Sequence, residues 1–258
     1  KNQGRDGGRR IAETLYKSAT PLNLVIFISD TIFILGCCYY RMPEGAAMIL
    51  FLGVPSQKIL GEILIQSIVH TTNFFRDSRM FNFLYEEILP SLVRVKQEGK
   101  DFSLRIHSAG AADFREAYSI AMALSEYLGE ELPLWDIKIY TTEIDAEAYE
   151  KGKEGIYLPG EIDGYVPPDL IEKYFTVLRD GRFMVDDTLR KMIVPLLADL
   201  AGMNNEVINP DIVFFCHVDC YLSLWAKSRV ADNLLASLNP RLAFIITDSP
   251  NRKYKVSA

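Results

Sequence analysis

A chain of 258 residues, 49% hydrophobic and 24% charged, has room for one large domain, or a medium one with a small companion, around a sizeable core. Its formal net charge of −6 argues against a general nucleic-acid binder, which needs a basic face to displace phosphate counterions. The four cysteines, Cys37, Cys38, Cys216 and Cys220, lack the spacing of a secreted disulfide scaffold and no signal peptide is evident, so a reducing, cytoplasmic setting is expected.

The start, KNQGRDGGRR, reads as a loose tail over residues 1–17. Pro21–Tyr40 is strongly apolar and AAMILFLGV follows it. A spanning helix needs about 20 apolar residues free of charge. Asp30 interrupts the first run, where a carboxylate is expensive, and the second run is too short. Buried core is therefore expected and stable membrane insertion is not. Charges are scarce from Ser18 to Val69 and frequent from Arg76 onward. That shift places a boundary near residue 70, between a small domain over 18–70 and a larger one over 71–258.

Beyond the boundary the pattern is regular. SRMFNFLYEEILPSLVRVKQEG carries Phe81, Leu84, Ile88 and Leu92 at helical spacing, with Pro90 expected to end or kink the helix. FSLRIHSAG reads as a strand entering a turn. EAYSIAMALSEYLG is a helix with Ile120, Leu124 and Leu128 on one face and Gly129 as its stop. WDIKIYTTEID is a strand ending in acids, and AEAYEKGKEG a short helix closed by Gly155. This alternation predicts a parallel sheet with crossover helices. Between about 156 and 192 the texture changes to turn residues and short alternating runs. Asp180–Gly181 predicts a hairpin with a type I′ turn, so a small β-subdomain interrupts the order. PDIVFFCHV, SLWAKSRVADNLLASL and RLAFIITD then read as strand, helix and strand.

In such a sheet, ligands sit beyond the carboxyl ends of the strands. Three ends qualify: Ser108–Gly110, Thr142–Asp145 and Cys216–Asp219. Glu143 and Asp145 point the same way along their strand, and either could accept hydrogen bonds from ribose hydroxyls. Asp145 also suits a helix N-cap. His70, His107 and His217 all lie at strand or loop ends, but with Cys216 and Cys220 they form no familiar zinc spacing, and no metal is expected.

The segments HTTNFFRD (70–77), EEILPSL, LRIHSAG…EAYSIAMALSE, IYTTEID, KGKEGIY, LIEKYF and DIVFFCHVDCYL occur in the order and spacing of the chemotaxis receptor glutamate methyltransferases. The chain thus resembles the CheR family over roughly residues 64 to 250. The resemblance implies an α/β fold: a class I methyltransferase-like (Rossmann-like) sheet with a β-subdomain, after a small helical N-terminal domain. It also implies methyl transfer from S-adenosylmethionine (SAM) to receptor glutamates. Carried over, it places His70 and Thr72 at cofactor contacts and Arg76 between cofactor and substrate glutamate. It puts Gly110 and Glu116 in the cofactor loop and Glu143 in place of the family's Asp at the ribose. Asp199 and Leu200 stand for the family's Asn-Leu, Cys216 and His217 for Arg-Asn, and Tyr221 for a tyrosine that helps position substrate. The implied partner is a chemoreceptor-type protein with methyl-accepting glutamates.

The family loop reads approximately Ser-Ala-Gly-Cys-Ala-Thr-Gly-Glu-Glu; here it is Ser-Ala-Gly-Ala-Ala-Asp-Phe-Arg-Glu. Phe114 takes the place of the second glycine, where the backbone may need positive φ, and Asp113 and Arg115 add charge. The Pro-Gly-Gly turn becomes Pro240-Arg241-Leu242. A second reading follows from these departures: a catalytically impaired relative acting as an interaction module, or a sequence diversified on this fold.

Overall fold

The computed structural model describes residues 72–203, 207, 209–218, 221–240 and 242–247, together with three short strands nearer the start, β1 (Leu24–Val25), β2 (Tyr39–Met42) and β3 (Gly45–Met48). The expected helical domain over 18–70, the tail, His70 and the apolar run from Pro21 lie outside the described residues apart from those strands. Among the described residues no helix is long and apolar enough to cross a membrane.

One long helical stretch opens the continuous part. Its first segment is α1 (Ser78–Phe83), capped by Asp77, whose side chain accepts the Arg79 N–H. The stretch widens into a π-helical segment, Leu84–Ile88, and resumes as α2 (Leu89–Glu98). Pro90 therefore does not end the helix. The widened segment sits just ahead of it, where proline removes a hydrogen bond and crowds the preceding turn. The apolar stripe survives the change: Phe81, Leu84, Ile88 and Leu92 are all buried.

Strand β4 (Ser103–Ala109) leads through the loop to α3 (Arg115–Leu128), ended by Gly129 at φ 50°. A 3-10 turn over Gly129–Leu134 leads into β5 (Asp136–Glu143). Then come α4 (Ala146–Glu154), β6 (Ile156–Tyr157), α5 (Pro159–Ile162) and α6 (Pro168–Tyr174). The hairpin β7 (Phe175–Val177) and β8 (Phe183–Val185) and the short α7 (Asp187–Arg190) complete the β-subdomain. The chain returns through β9 (Ile193–Leu197), β10 (Ile212–Phe215), α8 (Leu224–Ser237) and β11 (Ala243–Thr247).

The main sheet is wholly parallel in the order β1-β11-β10-β4-β5-β9, and β6-β8-β7 form a separate antiparallel sheet. The hairpin forms where expected, but its turn differs. Gly181 has φ 84° while Asp180 is not left-handed. The Gly181 N–H donates to Leu178 O and the Leu178 N–H to Arg182 O. That is a longer turn closed by a glycine bulge, which asks for only one positive φ.

Two apolar layers cover the sheet. One packs α1, α2, α3 and the β-subdomain onto Leu104, Ile106, Ile139 and Phe214. The other packs α8 onto Ala109, Val213 and Ile245 through Val230 and Leu234.

Candidate cofactor site

From β4 the chain moves outward through β5 to β9, then returns to the opposite side of β4 as β10. The strand order reverses there, and the crevice beyond the carboxyl ends of β4 and β10 is the natural ligand position. The loop leaving β4 is tied to β5. The Gly110 and Ala111 N–H groups both donate to Thr142 O, each at 2.9 Å. The Ala112 N–H donates to Glu143 Oε2 at 2.8 Å, while Glu143 Oε1 accepts the Ile144 and Asp145 N–H groups at 2.9 Å each. Across the next strand end, the Ala198 N–H donates to Glu143 O. Asp145 is the N-cap of α4, its Oδ1 accepting from Glu147 and Ala148 N–H. Of the two acids at this strand end, Glu143 is the one turned to the loop.

Gly110 has φ 75°, and a Cβ there would meet Val218 Cγ2 at 2.5 Å. Only glycine lets the loop pass this close to the segment after β10.

Phe114 adopts the left-handed conformation, φ 64° and ψ 11°, as a glycine would. This costs about 1–2 kcal/mol for a residue with a Cβ. The ring is fully buried, however, and lies away from the loop, over α4. A Cβ on Gly152 would stand 2.4 Å from Phe114 Cγ, and Tyr149 meets the ring edge-on at 5.9 Å. Burying a phenyl group contributes about 2–3 kcal/mol, enough to offset the backbone strain. The substitution that looks damaging in the sequence is thus accommodated by a glycine 38 positions later. Ala112, at φ 47°, is a second left-handed residue in the same loop.

The segment carrying Arg76 hangs on α3. The Phe75 N–H donates to Ser119 Oγ at 2.9 Å, and Ser119 Oγ donates to Arg115 O at 2.7 Å. Phe74 is buried edge-on against Tyr157 and Phe175, and Asp77 caps α1. Anchors on both sides therefore fix the backbone that presents exposed Arg76. Ser119 was not among the residues singled out from the sequence; its place in the Tyr-Ser pair at the helix start was the only signal.

The other expected residues separate into two groups. Glu116 Oε1 accepts Ser108 Oγ at 2.7 Å, beside the loop. His217 has φ 59° and stands with Val218 at the crevice. Tyr221 is exposed, its N–H bonded to Val218 O. Thr72 lies half-buried ahead of the aromatic pair. In contrast, Cys216 turns its sulfur into the core, 3.3 Å from Met80 Sδ. Leu200 is buried in the layer under α8, and exposed Asp199 caps its own turn through the Ala201 N–H. His107 is buried on β4, with Nε2 3.0 Å from Thr142 Oγ1 and Nδ1 without a hydrogen-bond partner among the described residues. Burial lowers its pKa to about 4, so it is neutral. Among the described residues no group of three or more His, Cys, Asp or Glu could hold a metal ion.

The arrangement fits a nucleotide-type cofactor. Gly110 gives close backbone approach, and Glu143 stands at the end of the next strand. An ionised carboxylate offers about four acceptor positions; Glu143 uses three, leaving one for a ligand hydroxyl.

Residues 70–251 match the family model described as "CheR methyltransferase, SAM binding domain". The chain is 35% identical over 132 residues to a chemotaxis protein methyltransferase of Borreliella burgdorferi, covering 51% of this chain and 46% of the relative. It is 30% identical over 175 residues to chemotaxis protein methyltransferase 1 of Vibrio cholerae, covering 66% and 62%. The chain thus spans about half to under two thirds of the length of these relatives. Among solved structures, the glycopeptide N-methyltransferase MtfA complexed with SAM matches with a TM-score of 0.37 and 9% identity, covering 74% of this chain and 61% of that one, a likeness too remote to carry weight.

Proposed function

The chain belongs to the CheR methyltransferase family, whose domain here is a SAM-binding one, and from that premise we propose that it transfers the SAM methyl group to glutamate side chains of chemoreceptor-type proteins. The observation that carries the reading is the intact loop: Gly110 remains in its left-handed turn against Val218 while Phe114 sends its ring to Gly152 rather than into the crevice. Gly110, Glu116, Glu143, Thr72 and His217 are the described residues assigned to hold the cofactor.

When bound, SAM supplies a methyl group already activated on a sulfonium. The acceptor is a carboxylate, already a nucleophile, so no general base is required. The chain's task is alignment and exclusion of water. Arg76 is assigned to orient the substrate carboxylate, because a guanidinium pairs with it through two parallel hydrogen bonds. Tyr221, exposed at the mouth, is assigned to help position the substrate. Held by Gly110, Glu116, Glu143, Thr72 and His217, SAM would supply the methyl group for a carboxylate oxygen and would be left as a neutral thioether beside the methyl ester.

One observation favours the second reading, a relative that binds SAM weakly: three backbone N–H groups already occupy the Glu143 carboxylate. Calorimetric titration with SAM and its demethylated product separates the two. Micromolar binding, weakened at least tenfold in Gly110→Ala, supports the enzyme, as does transfer of labelled methyl from SAM to a receptor fragment that Arg76→Ala abolishes. A folded protein giving no heat sinks the proposal and leaves the interaction-module reading.

A further inference from the structure

The loop's two departures in charge, Asp113 and Arg115, are buried. Buried charges are tolerated only where they are paired and hydrogen-bonded. Asp113 accepts from Arg115 at both oxygens, Nε at 2.9 Å and Nη2 at 2.8 Å. Lys151 on α4 approaches the same carboxylate at 3.0 Å. Glu161 on α5 meets Lys151 at 2.5 Å and Arg115 at 3.6 Å. Its other oxygen accepts the Leu158 N–H at 2.8 Å. The Tyr157 hydroxyl of β6 donates to the Asp113 backbone carbonyl at 2.6 Å. Two acids and two bases thus close a neutral cluster at the seam between the loop and the β-subdomain. Burial works against the charge on Lys151, and Glu161 and Asp113 outweigh it, holding its pKa above the ordinary lysine value.

The loop therefore has two supports. Its first half, through Ala112, is held by β5. Its second half, Asp113 and the Phe114 turn, is held by α4 and the β-subdomain. Two left-handed residues with side chains, Ala112 and Phe114, lie at the join. Such strain persists only where the surroundings over-determine it.

We propose that Lys151 and Glu161 are positioning residues for the cofactor loop, acting through the Asp113–Arg115 pair, so that the β-subdomain sets the loop's conformation. Neither is assigned a contact with substrate or cofactor. The consequence for SAM rests on the proposed function; the consequence for the loop does not.

The test uses the whole chain and two readouts. Lys151→Met keeps most of the unbranched apolar stem and removes the charge; Lys151→Arg keeps the charge. In Lys151→Met, amide hydrogen exchange at residues 111–114 accelerates on the order of tenfold, while exchange in β10 is unchanged. The dissociation constant for SAM rises by a similar factor, with the KM for the receptor substrate little changed. Lys151→Arg restores both. The effect of Lys151→Met shrinks when Asp113→Asn is already present, because the two share one interaction. Unchanged loop exchange in folded Lys151→Met overturns the proposal, and so does an equal effect in the Asp113→Asn background. If the wild-type chain binds no SAM, the methyltransferase reading fails, and the exchange data still decide for or against the cluster.

Discussion

At the amino-terminal edge of the main sheet, one buried carboxylate organises everything around it. Asp211 pairs with Lys96 Nζ at 3.0 Å, accepts Asn239 Nδ2 at 2.7 Å and accepts the Arg105 N–H at 2.9 Å. It joins the start of β10 to β4, to the end of α2 and to the turn after α8. At the carboxyl-terminal edge, Glu143 is also buried and also binds main-chain N–H groups, but the backbone it holds is bent into unfavourable conformations at Ala112 and Phe114. The left-handed residues near the lower edge, Lys100 and Asn209, lie in turns, where such geometry is common. One end therefore carries interactions that fix the fold, and the other spends part of that stability on a strained loop beyond the strand ends.

On this contrast, the largest loss of stability comes from the amino-terminal edge. Asp211→Ala leaves Lys96 with only the half-exposed Asp101 and strips the Arg105 N–H of its acceptor. The expected cost is about 3–4 kcal/mol in urea unfolding, with SAM affinity unchanged in the folded fraction. A variant as stable as the wild type would remove the lower edge from its role.

Next in size is the Phe114–Gly152 pair. Phe114→Gly relieves the left-handed strain but empties the space over α4, a net loss of about 2–3 kcal/mol. Gly152→Ala drives a methyl group against the ring and is also destabilising. The double variant recovers part of both losses, since the added methyl enters the vacated space. Strictly additive losses in a double-mutant cycle would show that the two positions do not share that space. Tighter SAM binding by Phe114→Gly would mean that the phenyl ring obstructs the loop after all.

The smallest effect concerns His107, which sits between the two edges. Its folded pKa lies near 4 against about 6.5 unfolded. The unfolded chain binds the extra proton first as the pH falls, so this contribution is complete above pH 6.5 and is lost as pH drops toward 4. At pH 5.5, one unit below the unfolded value, the loss amounts to about 1.4 kcal/mol. His107→Gln should flatten the pH dependence of unfolding over that window; an unchanged slope would move the acid sensitivity elsewhere.

Much of the fold was legible because it depends on short-range pattern. The apolar runs became β4, β5, β10 and β11, Asp145 and Gly155 bounded α4, and the turn-rich stretch became the β-subdomain. The misreadings have specific causes. Of the two expectations for Pro90, ending or kinking, the helix is not ended but distorted, because the turn ahead of the proline widens. Asp180–Gly181 looked like a symmetrical turn, yet a glycine bulge satisfies the strands with one left-handed residue. The left-handed backbone at Phe114 was expected, but its compensation is distant: nothing near Phe114 in the chain announces Gly152, Lys151 or Glu161. The assigned site residues follow the same rule. Gly110 lies in the turn after β4, where the pattern put it, while Cys216, the residue after β10, continues the alternation of Ile212 and Phe214 into the core.

The fit between Phe114 and Gly152 also restricts how this chain can change. With any larger residue at 152, a phenyl ring at 114 cannot lie where it does. Once the ring is in place, neither change is easily undone alone: adding a methyl at 152 collides with it, and removing the ring leaves a hole. The two positions are thus tied to one another, and a tolerated change at either calls for a compensating change at the other.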